Sequence, residues 1–271
     1  MNIADRAGKA AAVCLLIAAA LVSLAGVSCG SNDESPKTPA GNTTFGNPAG
    51  KPVDAATAGS VAGTVKLDGT PPAMKGIAMA AVAYCAKQHD SPVTAEDVVP
   101  GDNGTLQNVV VYLTGDFSAY SFTQPAEQAE LDQKGCMYVP HVVAVMAGAP
   151  VEFRSFDSTP HNIHPVPKAN REWNESQPRG SAPIVQSFTH EEVAIPFKCN
   201  LHPWMKAYVA VISNPYFEVT GKDGSFELKN VPPGTYTLTA WQELYGKSEQ
   251  TITINPKQAQ TATITFHAQQ Q

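Results

Sequence analysis

Hydrophobic and polar positions alternate in short runs from residue 59 to the end of this chain. Turns such as Asp68-Gly69 and Pro232-Pro233-Gly234 separate the runs, and none keeps the period of about 3.6 residues that marks an amphipathic helix. The runs cover residues 61–67, 106–113, 141–146, 151–156, 184–188, 195–199, 207–212, 216–220, 226–228, 235–241, 251–254 and 261–266. Many short strands with this punctuation predict an all-β protein built from sandwiches.

Three segments between these runs carry predictions of their own. Ser118 to Lys134 has Gln and Glu spaced around Ala, which favours a helix. The turn signal Ala147-Gly148-Ala149-Pro150 predicts a hairpin that pairs 141–146 with 151–156. Lys168 to Pro183 is predicted to be a long loop.

The N-terminus has the layout of a secretory signal. A basic region with Arg6 and Lys9 precedes an apolar run at 10–27, and small residues precede Cys29. We predict cleavage after residue 28; the alternative is an uncleaved anchor, although the run is only marginally long enough to span a bilayer. Residues 29–58 are rich in Ser, Thr, Pro, Ala, Gly and Asn and predict a flexible tether with ends about 30 Å apart.

Composition restricts the class of protein. Apolar residues make up 43% of the 271 residues and charged residues 15%, as in globular proteins. The net charge of −6 and the absence of a basic cluster give no reason to expect nucleic acid as a partner. No Cys-x-x-Cys-His motif occurs, which excludes a covalent haem.

The five cysteines divide by position. Cys14 lies in the signal and Cys29 follows it, which leaves Cys85, Cys136 and Cys199 in the exported part. An oxidising compartment pairs cysteines, and only Cys199 has a neighbourhood typical of a metal ligand. We therefore predict a disulfide between Cys85 and Cys136; three free thiols, two of them buried and inert, are the alternative.

A candidate metal site follows from the spacing of Cys199, His202 and Met205, which recur every third residue. A further histidine, His161, ends a turn after the run at 151–156. Two imidazoles and one thiolate, with a distant thioether, are the ligand set of a mononuclear electron-transfer copper centre. His164 competes with His161, but residues three apart on a strand point to opposite faces, so the two are not expected to ligate together. His89, His141 and His190 are expected to be structural or exposed.

Three resemblances extend this interpretation. The cysteine at position 29 resembles a bacterial lipoprotein processing site, with Gly26 where that motif usually has leucine. This resemblance implies a lipid on Cys29 and an exported, membrane-anchored protein. The strand ending in Pro160-His161-Asn162 and the Cys199–Met205 loop resemble the Greek-key cupredoxins, and the short loop resembles amicyanin-type sites. That resemblance implies equatorial ligands His161, Cys199 and His202, an axial Met205, and a role for Asn162 in pinning the two ligand loops.

The rest of the chain resembles the carboxypeptidase regulatory-like (transthyretin-like) sandwich, through Val219-Thr220, Asp223-Gly224 and Pro233-Gly234-Thr235-Tyr236. A matching first strand lies at 63–72. We therefore predict that a cupredoxin-like domain at 119–213 is inserted between two halves of the second sandwich, at 59–118 and 214–271. The competing layout is an N-terminal extension that wraps the cupredoxin, followed by an incomplete C-terminal module.

These resemblances imply an electron-transfer protein with one type 1 (blue) copper and a redox partner such as a haem protein or respiratory complex. Trp204, Pro203 and Pro160 would surround an exposed edge of His202 as the docking face. A copper storage or delivery protein and a non-redox surface module are the alternatives. No enzyme activity is expected, because no histidine–carboxylate pair is evident that would orient a base for Cys199 as a nucleophile.

Overall fold

The alternating runs form β-strands, and the predicted all-β class is confirmed. The computed structural model describes residues 44–123 and 128–268, so the predicted signal at 1–28 and the predicted lipid site at Cys29 lie outside the described residues. Within those two ranges, no helix has the length and apolar character needed to cross a bilayer. The one α-helix there, α1, is a single turn at Ala83–Ala86, and a 3-10 turn covers Asp102–Gly104.

The strands of these ranges are β1 Thr44–Gly46, β2 Gly59–Asp68, β3 Val99–Pro100, β4 Leu106–Gln107, β5 Val110–Thr114, β6 Ser121–Thr123, β7 Ala129–Lys134, β8 Met137–Val139, β9 Val142–Met146, β10 Pro150–Ser155, β11 His161–Pro165, β12 Glu175–Gln177, β13 Ile184–Ser187, β14 Glu192–Lys198, β15 Lys206–Ile212, β16 Phe217–Val219, β17 Ser225–Val231, β18 Gly234–Gln242, β19 Gly246–Ile254 and β20 Ala259–His267.

Residues 129–212 form a first sandwich, which we call the central sandwich. Its sheets have the strand orders β13-β10-β7-β8 and β12-β11-β14-β15-β9. The pairs β7–β10 and β9–β15 are parallel and therefore need crossover connections, so the sandwich is not a simple meander. Leu131, Phe153, Ile163 and Phe197 are buried in its core. The pair β11–β14 lies inside the larger sheet and carries the candidate ligands at one end.

The outer sandwich is built from strands on both sides of the central one in the sequence. Its sheets have the orders β16-β5-β18-β19 and β17-β2-β20. Strand β5 pairs with β16 and β18, and β2 pairs with β17 and β20, so strands before residue 115 join strands after residue 216 in both sheets. This strand pairing is the one expected when the central sandwich is inserted into the outer one. The domain boundaries 59–118, 119–213 and 214–271 stay a prediction.

The two sandwiches contact each other through a separate apolar cluster. Val110 and Tyr112 of β5 pack with Val142 of β9 and with Ala210 and Ile212 of β15. All five side chains are buried. Burial of Val110, Val142 or Ile212 contributes roughly 1.5–3 kcal/mol each relative to exposure, so this layer fixes the larger central sheet against the outer sandwich.

The helix predicted for Ser118 to Lys134 is wrong. Its described residues include β6 and β7, and β7 lies in the interior of a central sheet. Leu131 and Gln133 are both buried, whereas Glu130 and Lys134 are exposed and Asp132 between the buried pair is half-buried. The buried Gln133 donates from Nε2 to Gln177 Oε1 at 2.6 Å. Because the buried Gln133 is polar, the hydrophobic pattern of this segment does not show the two-residue period of a strand.

The predicted hairpin of 141–146 with 151–156 is also wrong. Strands β9 and β10 lie in different sheets, β9 beside β15 and β10 between β7 and β13. The connecting turn is held by bonds to distant strands, since Ala147 N donates to Ile212 O and Gly148 N to Phe188 O. Long-range partners therefore override the local turn signal.

Two segments predicted to be irregular contain paired strands. Part of the predicted long loop at 168–183 forms β12, which pairs with His161–Ile163. Part of the predicted tether at 29–58 forms β1, which pairs with β6, and Lys51 bridges to Tyr120. The flexible-tether prediction is therefore wrong from residue 44 onward. Both strands are three residues long, too short for an alternation signal.

Candidate metal centre

Antiparallel pairing brings the candidate ligands to one end of the central sandwich. His161 is the first residue of β11, and Cys199 directly follows β14. In the β11–β14 ladder, His164 lies opposite Lys198. The start of β11 therefore lies beside the loop that leaves β14, and that loop carries His202 and Met205 before β15 begins. Segments about 40 residues apart in sequence thus meet at one sheet end.

Three donor atoms converge there. His161 Nδ1 lies 3.0 Å from His202 Nδ1, and Cys199 Sγ lies 4.0 Å from the first nitrogen and 3.7 Å from the second. A planar three-coordinate ion with bonds of about 2.0 Å to nitrogen and about 2.3 Å to sulfur would place its nitrogens about 3.5 Å apart and each nitrogen about 3.7 Å from sulfur. The observed separations agree with that geometry to about half an ångström, so the donors fit a single metal ion. His161, Cys199 and His202 are 0%, 2% and 4% exposed.

Met205 closes the loop that carries these ligands. Its backbone N–H donates to His202 O at 2.9 Å, and its carbonyl accepts from Cys199 N at 3.3 Å. The Met205 side chain is completely buried in the core of the described residues. These bonds hold Met205, whose side chain carries a thioether, beside Cys199 at the end of β14.

Asn162 joins the two ligand segments. Its Oδ1 accepts from Asn200 N at 2.7 Å and from the Cys199 thiol at 3.4 Å. Its Nδ2 donates to Asn174 Oδ1 at 2.8 Å. Because Asn162 follows His161 directly, these bonds hold the first histidine against the cysteine loop.

The thiol environment favours the thiolate. Burial raises the pKa of Cys199, but the hydrogen bond with His161 and the backbone N–H groups of Asn162, Leu201 and His202 outweigh burial and lower the pKa overall. The thiolate is the form that binds metals. For His202, burial lowers the pKa and His161 lowers it further, which favours the neutral imidazole.

A histidine–carboxylate pair is present, and the expectation that none exists is wrong. His161 Nε2 lies 2.8 Å from Asp157 Oδ2, and both side chains are almost completely buried. Burial lowers the pKa of His161, but Asp157 and Cys199 more than compensate, so the net direction is upward. Sequence reasoning missed Asp157; the one signal available was a carboxylate four residues before a candidate ligand in a turn.

His202 is covered, so the predicted docking face around an exposed His202 edge is wrong. Pro160 and Pro203 are exposed, but the His202 ring is not. We call residues 70–98 the covering segment; it runs from β2 to β3 and includes α1. The Sγ atoms of Cys85 in α1 and of Cys136 lie within 4.8 Å of a His202 ring nitrogen.

A disulfide holds the covering segment in place. Cys85 and Cys136 are joined with an S–S distance of 2.05 Å. His89 of the covering segment also contacts the turn that bears Cys136, since its Nε2 lies 2.7 Å from Gly135 O. From the loop that carries His202, Trp204 Nε1 donates to Cys136 O at 3.0 Å. The disulfide therefore stands next to the candidate metal site, and Cys199 is the free cysteine among the described residues.

The remaining histidines lie apart from the three-donor cluster. His164 contacts Glu172 Oε1 at 2.7 Å and Asn200 Oδ1 at 3.1 Å, on the other face of β11 from His161. His141 is buried against Glu243, and His190 is exposed. Opposite strand faces thus separate His161 from His164.

Comparisons with known proteins concern parts of the chain. Residues 203–267 match the carboxypeptidase regulatory-like domain. This range covers β15 and the outer-sandwich strands β16 to β20. A search of curated proteins found no match.

Solved structures similar to this chain include copper proteins. A Cu-containing nitrite reductase from Thermus scotoductus SA-01 matches 34% of this chain and 24% of its own length, at 17% identity and a TM-score of 0.31. A purple cupredoxin from Nitrosopumilus maritimus matches 31% of this chain and 99% of its own, at 23% identity and 0.27. Amicyanin from Paracoccus versutus matches 32% and 83%, at 21% identity and 0.28.

Proposed function

We propose that this chain is an exported, membrane-tethered electron-transfer protein that binds one copper ion through His161, Cys199, His202 and Met205. The observation that supports it is the convergence of two ring nitrogens and one sulfur, 3.0 to 4.0 Å apart, in a buried site. A copper ion bound to this ligand set exchanges one electron at a time. Zinc prefers four ligands of similar strength, whereas this set offers three strong donors and a thioether.

The surrounding residues hold the ligand loops rigidly and exclude water from the site. Asn162 ties the first histidine to the cysteine loop, and the Met205 backbone closes that loop. The three donor atoms lie within 4.0 Å of one another, as a single ion bound by all three would require. Burial of all three donors excludes water, which would otherwise compete as a ligand.

Asp157, His161 and Cys199 also have the connectivity of a carboxylate–histidine–thiol nucleophile. Two observations favour the metal site. The Cys199 sulfur belongs to a residue that is only 2% exposed, which leaves no approach for a substrate carbonyl. A second imidazole, His202, lies 3.7 Å from the same sulfur, where a nucleophile would need open space. We therefore propose that the protein does not catalyse bond chemistry.

Copper titration tests the proposal. We expect the purified protein to bind one copper(II) ion per chain and to develop intense visible absorption from the thiolate. Cys199→Ser should abolish this absorption. His164→Ala is the matched control, because His164 lies on the same strand but outside the donor cluster, and it should keep the absorption. A colourless wild-type protein with added copper would refute the proposal.

A second measurement separates an electron carrier from a copper store or delivery protein. A carrier should be reduced and reoxidised by a haem protein at rates that depend on copper, with the ion retained through many cycles. A store or delivery protein would instead release copper(I) to an acceptor protein during the assay. If the protein keeps its copper but exchanges no electrons, the remaining alternative is a non-redox structural surface module.

We also propose that the chain is exported and anchored through a lipid on Cys29. The support is the N-terminal pattern of Arg6, Lys9, an apolar run and a cysteine. Labelling cells with a radioactive fatty acid should mark the wild-type protein but not Cys29→Ser. Equal labelling of both would contradict the anchor.

A further inference from the structure

Asp157 is a buried carboxylate that receives four donors. It is 4% exposed. Its Oδ1 accepts from Gly135 N at 2.7 Å and from Tyr84 OH at 3.3 Å. Its Oδ2 accepts from Cys136 N at 2.8 Å and contacts His161 Nε2 at 2.8 Å.

The donors on this carboxylate assign the His161 proton. Backbone N–H groups can only donate, so Gly135 and Cys136 require an acceptor oxygen on each side of the carboxylate. Both oxygens of Asp157 thus accept from groups other than His161, Oδ1 from Gly135 N and Tyr84 OH and Oδ2 from Cys136 N, which is the arrangement that holds an ionised carboxylate. An ionised carboxylate has no proton to give, and His161 Nε2 must therefore carry the proton in the contact.

The proton on Nε2 determines what the other ring nitrogen can do. Nδ1 is the nitrogen that faces His202 and Cys199. With Nε2 held as a donor, Nδ1 is the atom that can release a proton and offer its electron pair to an ion. Without a carboxylate at Nε2, the neutral ring could carry its proton on Nδ1, the nitrogen that faces the other two donors.

We propose that Asp157 is the positioning residue of the metal site, which keeps the His161 proton on Nε2 and aims Nδ1 at the ion. This inference rests on the proposed function. Metal-ligating histidines commonly donate their second N–H to a partner that orients the ring. Here the same carboxylate also anchors the turn Gly135-Cys136, whose residues have φ of 63° and 57°. Asp157 therefore links the disulfide-bearing turn to the first ligand.

The variant Asp157→Asn tests this role. An amide has one acceptor oxygen and one donor group. Whichever way it is turned, its NH2 must face donors, either Gly135 and Tyr84 or Cys136 and His161. We expect loss of the defined His161 proton, and a fall of about 10–100-fold in copper(I) affinity. Asp132→Asn is the matched control, because Asp132 pairs with Arg154 away from the site; it should leave both unchanged.

Nitrogen-15 NMR provides a readout that does not depend on electron transfer. In wild-type protein, both metal-free and loaded with diamagnetic copper(I), we expect a proton on His161 Nε2. A wild-type His161 without that proton would overturn the proposal, even if Asp157→Asn fails to fold. It would also be overturned if Asp157→Asn kept both the Nε2 proton and wild-type copper(I) affinity.

The two proposals fail separately. If copper(II) gives no visible absorption while the Nε2 proton and the effect of Asp157→Asn on copper(I) affinity are present, the electron-transfer proposal fails and the role of Asp157 stands. A purely turn-stabilising role would lower thermal stability in Asp157→Asn without changing the protonation of His161 or copper(I) affinity.

Discussion

Glu243 joins the two sandwiches through buried charged contacts. It follows β18 in the outer sandwich, and its side chain is 10% exposed. Its Oε2 lies 2.7 Å from His141 Nε2, and its Oε1 accepts from Lys206 Nζ and from Tyr208 OH at 3.2 Å. Burial raises the pKa of Glu243, but His141 and Lys206 outweigh it and lower the pKa from 4.5 to about 2.

We predict that Glu243→Gln lowers the free energy of unfolding at pH 7 by about 3 kcal/mol, the stability that corresponds to this change in pKa. Because the folded-state pKa is depressed, the contribution is present above pH 4.5 and is lost as the pH falls towards 2. At pH 3 the wild type should keep roughly 1.5 kcal/mol of its advantage over the variant. Loss of a partner from a buried ion pair commonly costs about 3–5 kcal/mol, which agrees in size.

Denaturant unfolding of both proteins at several pH values between 7 and 3 measures this difference. Glu227→Gln is the matched control, since Glu227 forms an exposed pair with Lys229 at 3.0 Å. An exposed pair contributes roughly 0–1 kcal/mol, so the control should change little. A Glu243→Gln effect that stays constant from pH 7 to pH 3, or that equals the control, would refute the reasoning.

Three further predictions concern the cover, the outer sandwich and the ligand loops. Replacing Cys85 and Cys136 by serine should cost about 4 kcal/mol, from a closed loop of 51 residues. Copper loss to a chelator should be faster in this variant, because the covering segment is released; unchanged chelator kinetics would show that this segment does not protect His202. A Cβ added at Gly63 would lie 1.9 Å from Ala262 O, so Gly63→Ala should push β2 away from β20. We expect this variant to have a lower melting temperature and an unchanged copper absorption. An unchanged melting curve would contradict this. Asn162→Ala leaves the Asn200 N–H without its acceptor and should cost roughly 1–3 kcal/mol in denaturant unfolding, and a wild-type midpoint would disprove the contact's importance.

Much of the fold could be predicted from local patterns, and two of the errors share one cause, which is bonding to residues far away in the sequence. Alternation identified strands such as β2 and β17 because their inward residues are apolar. It failed at β7, where the inward Gln133 is satisfied by Gln177 rather than by apolar contacts. The turn signal failed after β9, because the backbone bonds of that turn go to Ile212 and Phe188.

The candidate site shows the same division. The spacing of Cys199, His202 and Met205 is local, and a loop between adjacent antiparallel strands keeps such residues together. Asp157 and the covering segment gave no comparable pattern. Their contacts depend on where the Gly135-Cys136 turn and the disulfide lie in space.

The amino-acid sequence by itself determined the all-β class, the pairing candidates among the cysteines and the identity of the candidate donors, because side-chain chemistry and strand periodicity are properties of neighbouring residues. Only the tertiary structure decided that His202 is buried beneath the covering segment, that Asp157 holds His161, and that β9 and β10 lie in different sheets. These features depend on hydrogen bonds and packing between residues far apart in the chain, which are chosen when the whole core assembles and leave no periodic signal in any one segment.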